Sequence, residues 1–145
     1  MSSEEDFVLE TIEIEQRILE GMIDHAQAEY PLECCGLFSG VDPLIDAVTP
    51  TDNLRRSRCE FFIVPKDLFA FLRRVRSESK HFLGIYHSHI SSPAFPSERD
   101  IAEFHYHDVS YWIVSLEEPS PDVRCFVWRE SGFREIRFKT KRALS

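Results

Sequence analysis

The segment 82–100 constrains the fold of this 145-residue chain more than any other part of it. The apolar run Phe82–Tyr86 has the length of a buried strand, and it leads directly into His87 and His89. Residues i and i+2 of an extended segment point to the same side, so both imidazoles can reach one point in space. The sequence therefore predicts a strand that ends in two convergent histidines, with Ser88 pointing away and contributing little.

Ser97 and Asp100 follow the two histidines at the predicted start of a short helix. A serine followed three residues later by an acid is typical of a capping box, which explains both residues without any chemistry. The intervening loop is also long enough to return Asp100 to His87 and His89. Two imidazoles and one carboxylate suit a catalytic zinc, which keeps its fourth position open for water. The capping role and the metal-binding role of Asp100 both stay open, and they are compatible.

A second pair of histidines lies close by, at His105 and His107, and Asp108 follows it. If this segment is extended, Asp108 points away from His107, and no third ligand stands at a useful spacing. We therefore expect these histidines to be ordinary surface residues.

A metal-dependent hydrolase also needs a proton carrier, which is commonly a carboxylate that is not itself a ligand. The candidates near the predicted site are Glu33, Glu60, Glu98 and Glu103. Glu33 stands apart because it lies in a mostly apolar run, where a carboxylate without a partner is costly to desolvate. An exposed glutamate at a helix–strand junction explains Glu33 as well, so both interpretations remain.

The charge and hydropathy of the chain exclude several classes of function. The formal net charge of −8 argues against general nucleic-acid binding, which requires clustered lysines and arginines. No apolar run approaches the roughly 20 residues that span a bilayer, and the acidic N-terminus does not resemble a secretory signal. We therefore expect a cytoplasmic protein that contacts neither nucleic acid nor membrane. The arginines in segments 55–58 and 73–76 are expected to be solvated faces or a surface for an acidic protein.

The cysteines do not form a metal-binding or disulfide pattern, because no two are spaced as C-x-x-C. We expect all four to be reduced, small, buried hydrophobic residues in a reducing compartment. They are Cys34, Cys35, Cys59 and Cys125.

The periodicity of the chain predicts one domain over residues 11–145, preceded by a flexible lead-in over residues 1–10. Amphipathic helices are expected over 13–29 and from Pro65 onward, the second with a buried stripe of Leu68, Phe69, Leu72 and Val75. Strands are expected over 35–40, 44–48, 60–64, 82–86, 111–116, 123–129 and 133–138. Helices alternating with strands, followed by a strand-rich end, predict an α/β (α+β) fold, a mixed sheet flanked by helices.

The spacing His87-x-His89-x7-Ser97-x2-Asp100, with the upstream glutamate Glu33, resembles the JAMM motif of the MPN+ (Mov34/MPN) metalloproteases. The segments 31–37 and 86–97 resemble the small stand-alone prokaryotic branch of that family in particular. The resemblance implies a curved mixed sheet with the MPN, deaminase-like architecture. The zinc-deaminase signature itself is absent from the sequence.

The same resemblance implies roles for individual residues. His87, His89 and Asp100 would hold Zn²⁺, and Ser97 would stabilise the oxyanion of the tetrahedral intermediate. Glu33 would hold and deprotonate the attacking water and then pass the proton to the leaving amine.

The resemblance also implies a substrate, the amide or isopeptide bond after the C-terminal glycine of a ubiquitin-like or sulfur-carrier protein. Asn53 resembles a recurrent asparagine of the small relatives and is a candidate residue of the substrate loop. Ile90, where relatives often carry proline, leaves the substrate preference open.

Two alternatives remain: a zinc hydrolase of a small amide or peptide, and a non-catalytic MPN scaffold. An exposed apolar patch on the phenylalanine-rich second helix (Phe69, Phe71), rimmed by arginines, would favour a protein partner, whereas buried phenylalanines would decide nothing.

Overall fold

The computed structural model describes residues 11–53, 63–103 and 105–142, with the side chain of Glu103 excepted. The described residues therefore leave out the expected lead-in 1–10, residues 60–62 of the expected strand 60–64, Cys59 and the arginines in 55–58. At the described end of that expected strand, Ile63 pairs with Asn53 in an isolated bridge. The strands are β1 (Glu13–Glu15), β2 (Cys35–Val41), β3 (Leu44–Thr51), β4 (His81–His89), β5 (Ser110–Ser115), β6 (Asp122–Arg129), β7 (Gly132–Ile136) and β8 (Lys139–Lys141). The helices are α1 (Gln16–Glu29), α2 (Pro65–Ser77) and α3 (Glu98–Glu103).

All of these strands belong to one mixed sheet in the order β7-β6-β5-β4-β2-β3-β1-β8. β4 pairs antiparallel with β2 and parallel with β5, so it lies in the middle of the sheet. The expected mixed sheet with flanking helices is confirmed. The strand that carries both histidines is held on both edges by backbone hydrogen bonds.

Helix α1 covers one face of the sheet. Its buried residues Ile18, Met22 and Ala26 recur at helical spacing and pack in a core with Tyr86 and Trp112. The helix was expected to begin at residue 13, and that boundary is wrong, because 13–15 form β1. This short strand pairs in parallel with both β3 and β8, and such long-range pairing overrides the local helical pattern.

Helix α2 covers the opposite face and begins at Pro65, as expected for proline in the first turn. Phe71 and Val75 are buried, but Phe69 is 60% exposed, so the expectation that Phe69 is part of the buried stripe is wrong. Phe69 and Phe71 are about 200° apart around the helix axis, and only one of them can face the sheet. Leu68 and Leu72, as expected, pack against the core beneath this helix.

The adjacent cysteines lie inside the fold at the start of β2. Cys34 and Cys35 are buried and free, and burial raises the pKa of each thiol to about 12, so both are neutral at physiological pH. Cys125 is likewise buried and free. Next to them Gly36 lies under the ring of Tyr86, which a Cβ atom at this position would overlap. In the described ranges the expectation of inert buried thiols is confirmed.

No helix in these ranges is both long and apolar enough to cross a membrane.

Candidate metal centre

The C-terminal end of β4 presents His87 and His89 on the same face of the sheet, as the alternation predicts. Their ring centroids are 4.9 Å apart, and both side chains are buried. The face is the one that α2 covers, because Ile85, two residues earlier, packs in the core with Phe71.

Helix α3 brings Asp100 to the two histidines. The backbone N–H of Ser97 donates to Oδ2 of Asp100 at 2.8 Å, and the N–H of Asp100 donates to Oγ of Ser97 at 3.0 Å. This reciprocal pair is a capping box, so the capping interpretation is confirmed. The same carboxylate also faces the imidazoles: Oδ2 lies 3.3 Å from Nε2 of His89, and Oδ1 lies 3.5 Å from Nε2 of His87.

These spacings fit a metal site. Four donors arranged tetrahedrally at zinc-like bond lengths are separated by about 3.3 Å, close to the observed nitrogen–oxygen distances. Nδ1 of His89 lies 2.7 Å from the carbonyl oxygen of Pro93, an arrangement in which Nδ1 carries the proton and Nε2 keeps its lone pair. Within the described ranges, His87, His89 and Asp100 form the one group of potential ligands, all within 4.8 Å of one another. The donor set could hold a divalent metal.

The electrostatics of the group favour an ionised carboxylate. Burial by itself would raise the pKa of Asp100, but His87, His89 and the Ser97 N–H outweigh it and lower that pKa well below its usual value. Burial likewise acts to lower the pKa of His89, but the Asp100 carboxylate and the Pro93 carbonyl raise it overall. A carboxylate that stays charged at all ordinary pH values is suited to binding a cation.

Glu33 reaches the group from the start of β2. The antiparallel register pairs Cys35 with His87, and continuing it by two residues brings Glu33 level with His89, on the face that carries both histidines. Oε1 of Glu33 is 3.6 Å from Nδ1 of His87, and Glu33 is only 5% exposed. Of the other glutamates considered from the sequence, Glu98 is exposed, whereas Glu60 and the side chain of Glu103 lie outside the described part of the chain. Glu33 is therefore not the exposed junction residue that the sequence also allowed.

The peptide unit that joins Glu33 to Cys34 is fixed at both ends. Nδ2 of Asn53 donates to the carbonyl oxygen of Glu33 at 3.1 Å, and the N–H of Cys34 donates to Oγ of Ser88 at 2.9 Å. Ser88 does point away from the histidines, as expected. The expectation that it contributes little is wrong, because its hydroxyl satisfies a buried backbone donor next to Glu33.

Sequence reasoning did not identify Tyr111, whose hydroxyl lies 2.8 Å from Nε2 of His87. Tyr111 belongs to β5 and is 2% exposed. Its approach to His87 depends on the parallel pairing of β4 with β5, which pairs Ile85 with Tyr111. Sequence spacing carries no signal of this pairing.

The second pair of histidines behaves as expected. His105 and His107 are exposed, and the ring of His107 stacks on Trp128 with a centroid distance of 4.1 Å. Neither belongs to a group of potential ligands in the described residues.

Several curated relatives share most of this domain. The chain is 30% identical over 100 residues to a desampylase of Pyrococcus furiosus, a match that covers 69% of this chain and 71% of that protein. It is 36% identical over 87 residues to a probable TtuB-protein conjugate cleaving protease of Thermus thermophilus, covering 59% and 58% respectively. It is 26% identical over 104 residues to the CysO-cysteine peptidase of Mycobacterium tuberculosis, covering 70% and 71%.

Solved structures confirm the architecture. Protein DSY2949 of Desulfitobacterium hafniense aligns with a TM-score of 0.84 at 31% identity, over 92% of this chain and 95% of that one. AF2198 of Archaeoglobus fulgidus, a JAB1/MPN domain protein, aligns with a TM-score of 0.61 at 20% identity, over 90% and 98%. The second likeness, at its low identity, shows the fold alone, and this fold is the one that the JAMM-like spacing implies.

The family described as prokaryotic homologs of the JAB domain matches residues 15–129, a range that contains every residue of the site. The family match, the fold and the arrangement of His87, His89 and Asp100 lead to the same conclusion. This chain belongs to the Prok-JAB family.

Proposed function

We propose that this chain is a zinc-dependent hydrolase that cleaves the amide or isopeptide bond after the C-terminal glycine of a ubiquitin-like or sulfur-carrier protein. The observation that carries the proposal is the convergence of His87, His89 and Asp100, with the buried carboxylate of Glu33 beside them. Three protein donors of this type leave a coordination position open, which is typical of catalytic rather than structural zinc. A non-catalytic scaffold would have no need of the complete donor set together with a buried proton carrier.

Zinc bound among these three residues would polarise the scissile carbonyl and make water acidic enough to react near neutral pH. Glu33 then acts as the general base, accepting a proton from the attacking water and delivering it to the leaving amine. Its position next to His87 supports this role, because the carboxylate lies beside the ligand group and is shielded from bulk solvent.

Ser97 would assist the carbonyl oxygen as negative charge develops on it. Its Oγ accepts a hydrogen bond from the N–H of Asp100, so its own hydroxyl proton remains available for donation. Ser97 is exposed at the N-terminus of α3, where a substrate can approach. A fixed donor aimed at the developing oxyanion stabilises the transition state.

Two observations favour a protein substrate over a small amide. The curated relatives are named for desampylation, for cleavage of TtuB-protein conjugates and for CysO-cysteine peptidase activity. In addition, the exposed Phe69 is flanked on the same face of α2 by Lys66 and Arg73, three residues before and four residues after it. We infer from this arrangement that Phe69 contributes to binding a protein substrate. We place the reaction in the cytoplasm, which suits the free cysteines.

The test is cleavage of purified carrier-Gly-Gly conjugates by zinc-loaded protein, followed by mass spectrometry of the released carrier. The test compares three substrates: a carrier joined to a lysine side chain, a carrier joined to free cysteine, and a short Gly-Gly amide without a carrier. We expect cleavage of at least one carrier conjugate, loss of that activity in His89→Ala and full retention in the matched control His105→Ala. Cleavage of the short amide alone would favour the small-substrate alternative, and absence of all cleavage would contradict the proposal.

A further inference from the structure

The loop that follows β4 is held to the sheet through two successive backbone carbonyls. Nδ1 of His89 lies 2.7 Å from the carbonyl oxygen of Pro93. One residue earlier, the carbonyl oxygen of Ser92 accepts the hydroxyl of Ser115 at 2.7 Å. Because Ser115 pairs with His89 in the parallel register of β4 and β5, both contacts start from the same level of the sheet.

The Ser115 hydroxyl is buried and has a partner on each side. Ser115 is 3% exposed, its proton goes to the Ser92 carbonyl, and its oxygen accepts the N–H of Glu117 at 3.2 Å. A hydroxyl has only one proton, so the direction in which Ser115 donates is fixed. Leaving the buried hydroxyl without an acceptor would be costly, which keeps its contact with the loop formed.

The link from Ser115 to His89 is short and stiff. The two peptide units that carry the carbonyls meet at Pro93, whose ring fixes the dihedral angle φ between them. On the far side of Pro93, Ala94 is fully buried in the core under α2. With φ fixed and Ala94 packed, the position of the Ser92 carbonyl largely determines where the Pro93 carbonyl points.

We propose that Ser115 is a positioning residue of the metal centre: by holding the Ser92–Pro93 peptide, it fixes the carbonyl that orients the ring of His89. The hydrogen bond at Nδ1 sets the tautomer and the rotation of the ring, and with them the direction of the Nε2 lone pair. Nε2 is the nitrogen on the side of Asp100, 3.3 Å from Oδ2 of that carboxylate. Ser115 acts through the loop and is not itself a ligand. This inference rests on the proposed metal centre.

The test is the zinc affinity of Ser115→Ala, measured by competition with a chromophoric zinc chelator. Loss of the hydrogen-bond partner of a ligating histidine typically weakens metal binding about 10- to 100-fold. Because Ser115 acts one peptide unit away from that partner, we expect the lower end of this range, about tenfold weaker binding than in wild type.

Ser110→Ala is the matched control, because Ser110 lies at the opposite end of the same strand in an equivalent setting. Ser110 is 5% exposed, its hydroxyl donates to the carbonyl of Leu83 at 2.6 Å, and it accepts the Nε1–H of Trp112 at 2.8 Å. Each substitution removes a buried hydroxyl with one donated and one accepted hydrogen bond, so both should lower the midpoint temperature of unfolding. Only Ser115→Ala should bind zinc more weakly.

A second readout is the Nδ1–H of His89 in zinc-loaded protein labelled with ¹⁵N-histidine. In wild type its hydrogen bond to the Pro93 carbonyl should protect this proton from exchange with water. In Ser115→Ala the exchange should be about two- to tenfold faster, the range that one hydrogen bond allows. Ser110→Ala should exchange at the wild-type rate, because its lost contacts lie away from His89.

If Ser115→Ala does not fold, Ser115→Cys takes its place in both measurements. A thiol is close in size to a hydroxyl but is a weaker donor, so zinc binding should weaken in the same direction and to a smaller extent. A zinc content of one per chain verifies that the new thiol does not add a site.

The outcomes separate this inference from the proposed function. Weaker zinc binding and faster Nδ1–H exchange confined to the Ser115 variant support the inference. Affinity equal to that of wild type in the folded Ser115 variant, or equal weakening in Ser110→Ala, overturns the role of Ser115 and leaves the metal centre intact. Wild type that binds no zinc overturns the metal centre and this inference together.

Discussion

Oε1 of Glu33 lies 3.6 Å from Nδ1 of His87, and the cause is the register of two antiparallel strands. Because Cys35 pairs with His87, the polar residue that precedes β2 is brought to the C-terminal end of β4. Glu33 itself lies two residues before the start of β2, and the hydrogen bonds of the Glu33–Cys34 peptide to Asn53 and Ser88 hold it there. A residue whose backbone is anchored on both sides is held more precisely than one on a free loop.

Glu33→Gln should keep zinc and lose turnover. The amide has nearly the same shape as the carboxylate but cannot accept and release the proton, so kcat should fall by at least about 100-fold. Zinc content after dialysis and kcat on a carrier conjugate are measured together, with Glu98→Gln as an exposed matched control. Loss of zinc from Glu33→Gln would make Glu33 a ligand and contradict its assignment as the base.

The hydrogen bonds at the Glu33–Cys34 peptide predict that Ser88 and Asn53 position Glu33. Ser88→Ala leaves the buried N–H of Cys34 without its acceptor, which should lower the free energy of unfolding by about 1–3 kcal/mol. Asn53→Ala removes the donor to the Glu33 carbonyl. We expect both variants to keep zinc and to lose about tenfold or more in kcat through misplacement of the base. Unchanged kcat in both variants would show that neither hydrogen bond is needed to position Glu33. The control is Ser92→Ala, because the backbone carbonyl of residue 92, which accepts the hydroxyl of Ser115, is retained in this variant.

The two phenylalanines of α2 should respond in opposite ways. Phe71→Ala removes a buried ring and should lower the free energy of unfolding by about 3–5 kcal/mol. Phe69→Ser should leave stability nearly unchanged and raise KM for a carrier conjugate, without affecting a short Gly-Gly amide. Thermal unfolding and steady-state kinetics on both substrates check this pair. An equal KM for the conjugate in wild type and Phe69→Ser would contradict the proposed role of Phe69 in binding a protein substrate.

His25 should make the stability of the metal-free protein depend on pH. Burial lowers the pKa of His25 below 6.5, despite the opposing charges of Glu29 and Asp52, and its Nδ1 contacts the hydroxyl of Tyr86. The neutral form is thus favoured in the folded state, so its stabilisation is present above pH 6.5. It is lost as the pH falls through the folded-state pKa, because the unfolded chain then binds more protons.

The measurement for His25 is chemical denaturation of wild type and His25→Gln in a chelator, between pH 8 and pH 5. The stability advantage of wild type should shrink on acidification. A constant or growing advantage at low pH would contradict the account. His81→Gln, at an exposed position at the start of β4, controls for a general effect of removing a histidine.

Much of the site was predictable because it depends on local sequence patterns. Alternation along a strand aligned His87 with His89, and the capping-box spacing placed Ser97 and Asp100 at a helix start. The apolar run around Glu33 set it apart from the other candidate glutamates, and the family resemblance then selected it. Local patterns also predicted both long helices and the central strands, since their apolar residues repeat over several turns or pleats.

The remaining features depend on contacts between distant segments. Tyr111 reaches His87 only because β5 lies beside β4, and the three-residue strands β1 and β8 are too short to show any alternation. The helical pattern predicted a buried Phe69, because an aromatic residue fits this pattern equally well whether its side chain is buried or exposed. These are the points at which a single sequence lacks the information about which segments meet.

The measurement that tests the central claim most directly is the zinc content of wild type and Asp100→Ala, purified without chelators and compared with Asp108→Ala. We predict one zinc per chain in wild type and in Asp108→Ala, with zinc lost from Asp100→Ala although it remains folded. The assignment of this group as the metal centre would be contradicted if folded wild type contained no zinc, or if wild type and Asp100→Ala contained equal zinc.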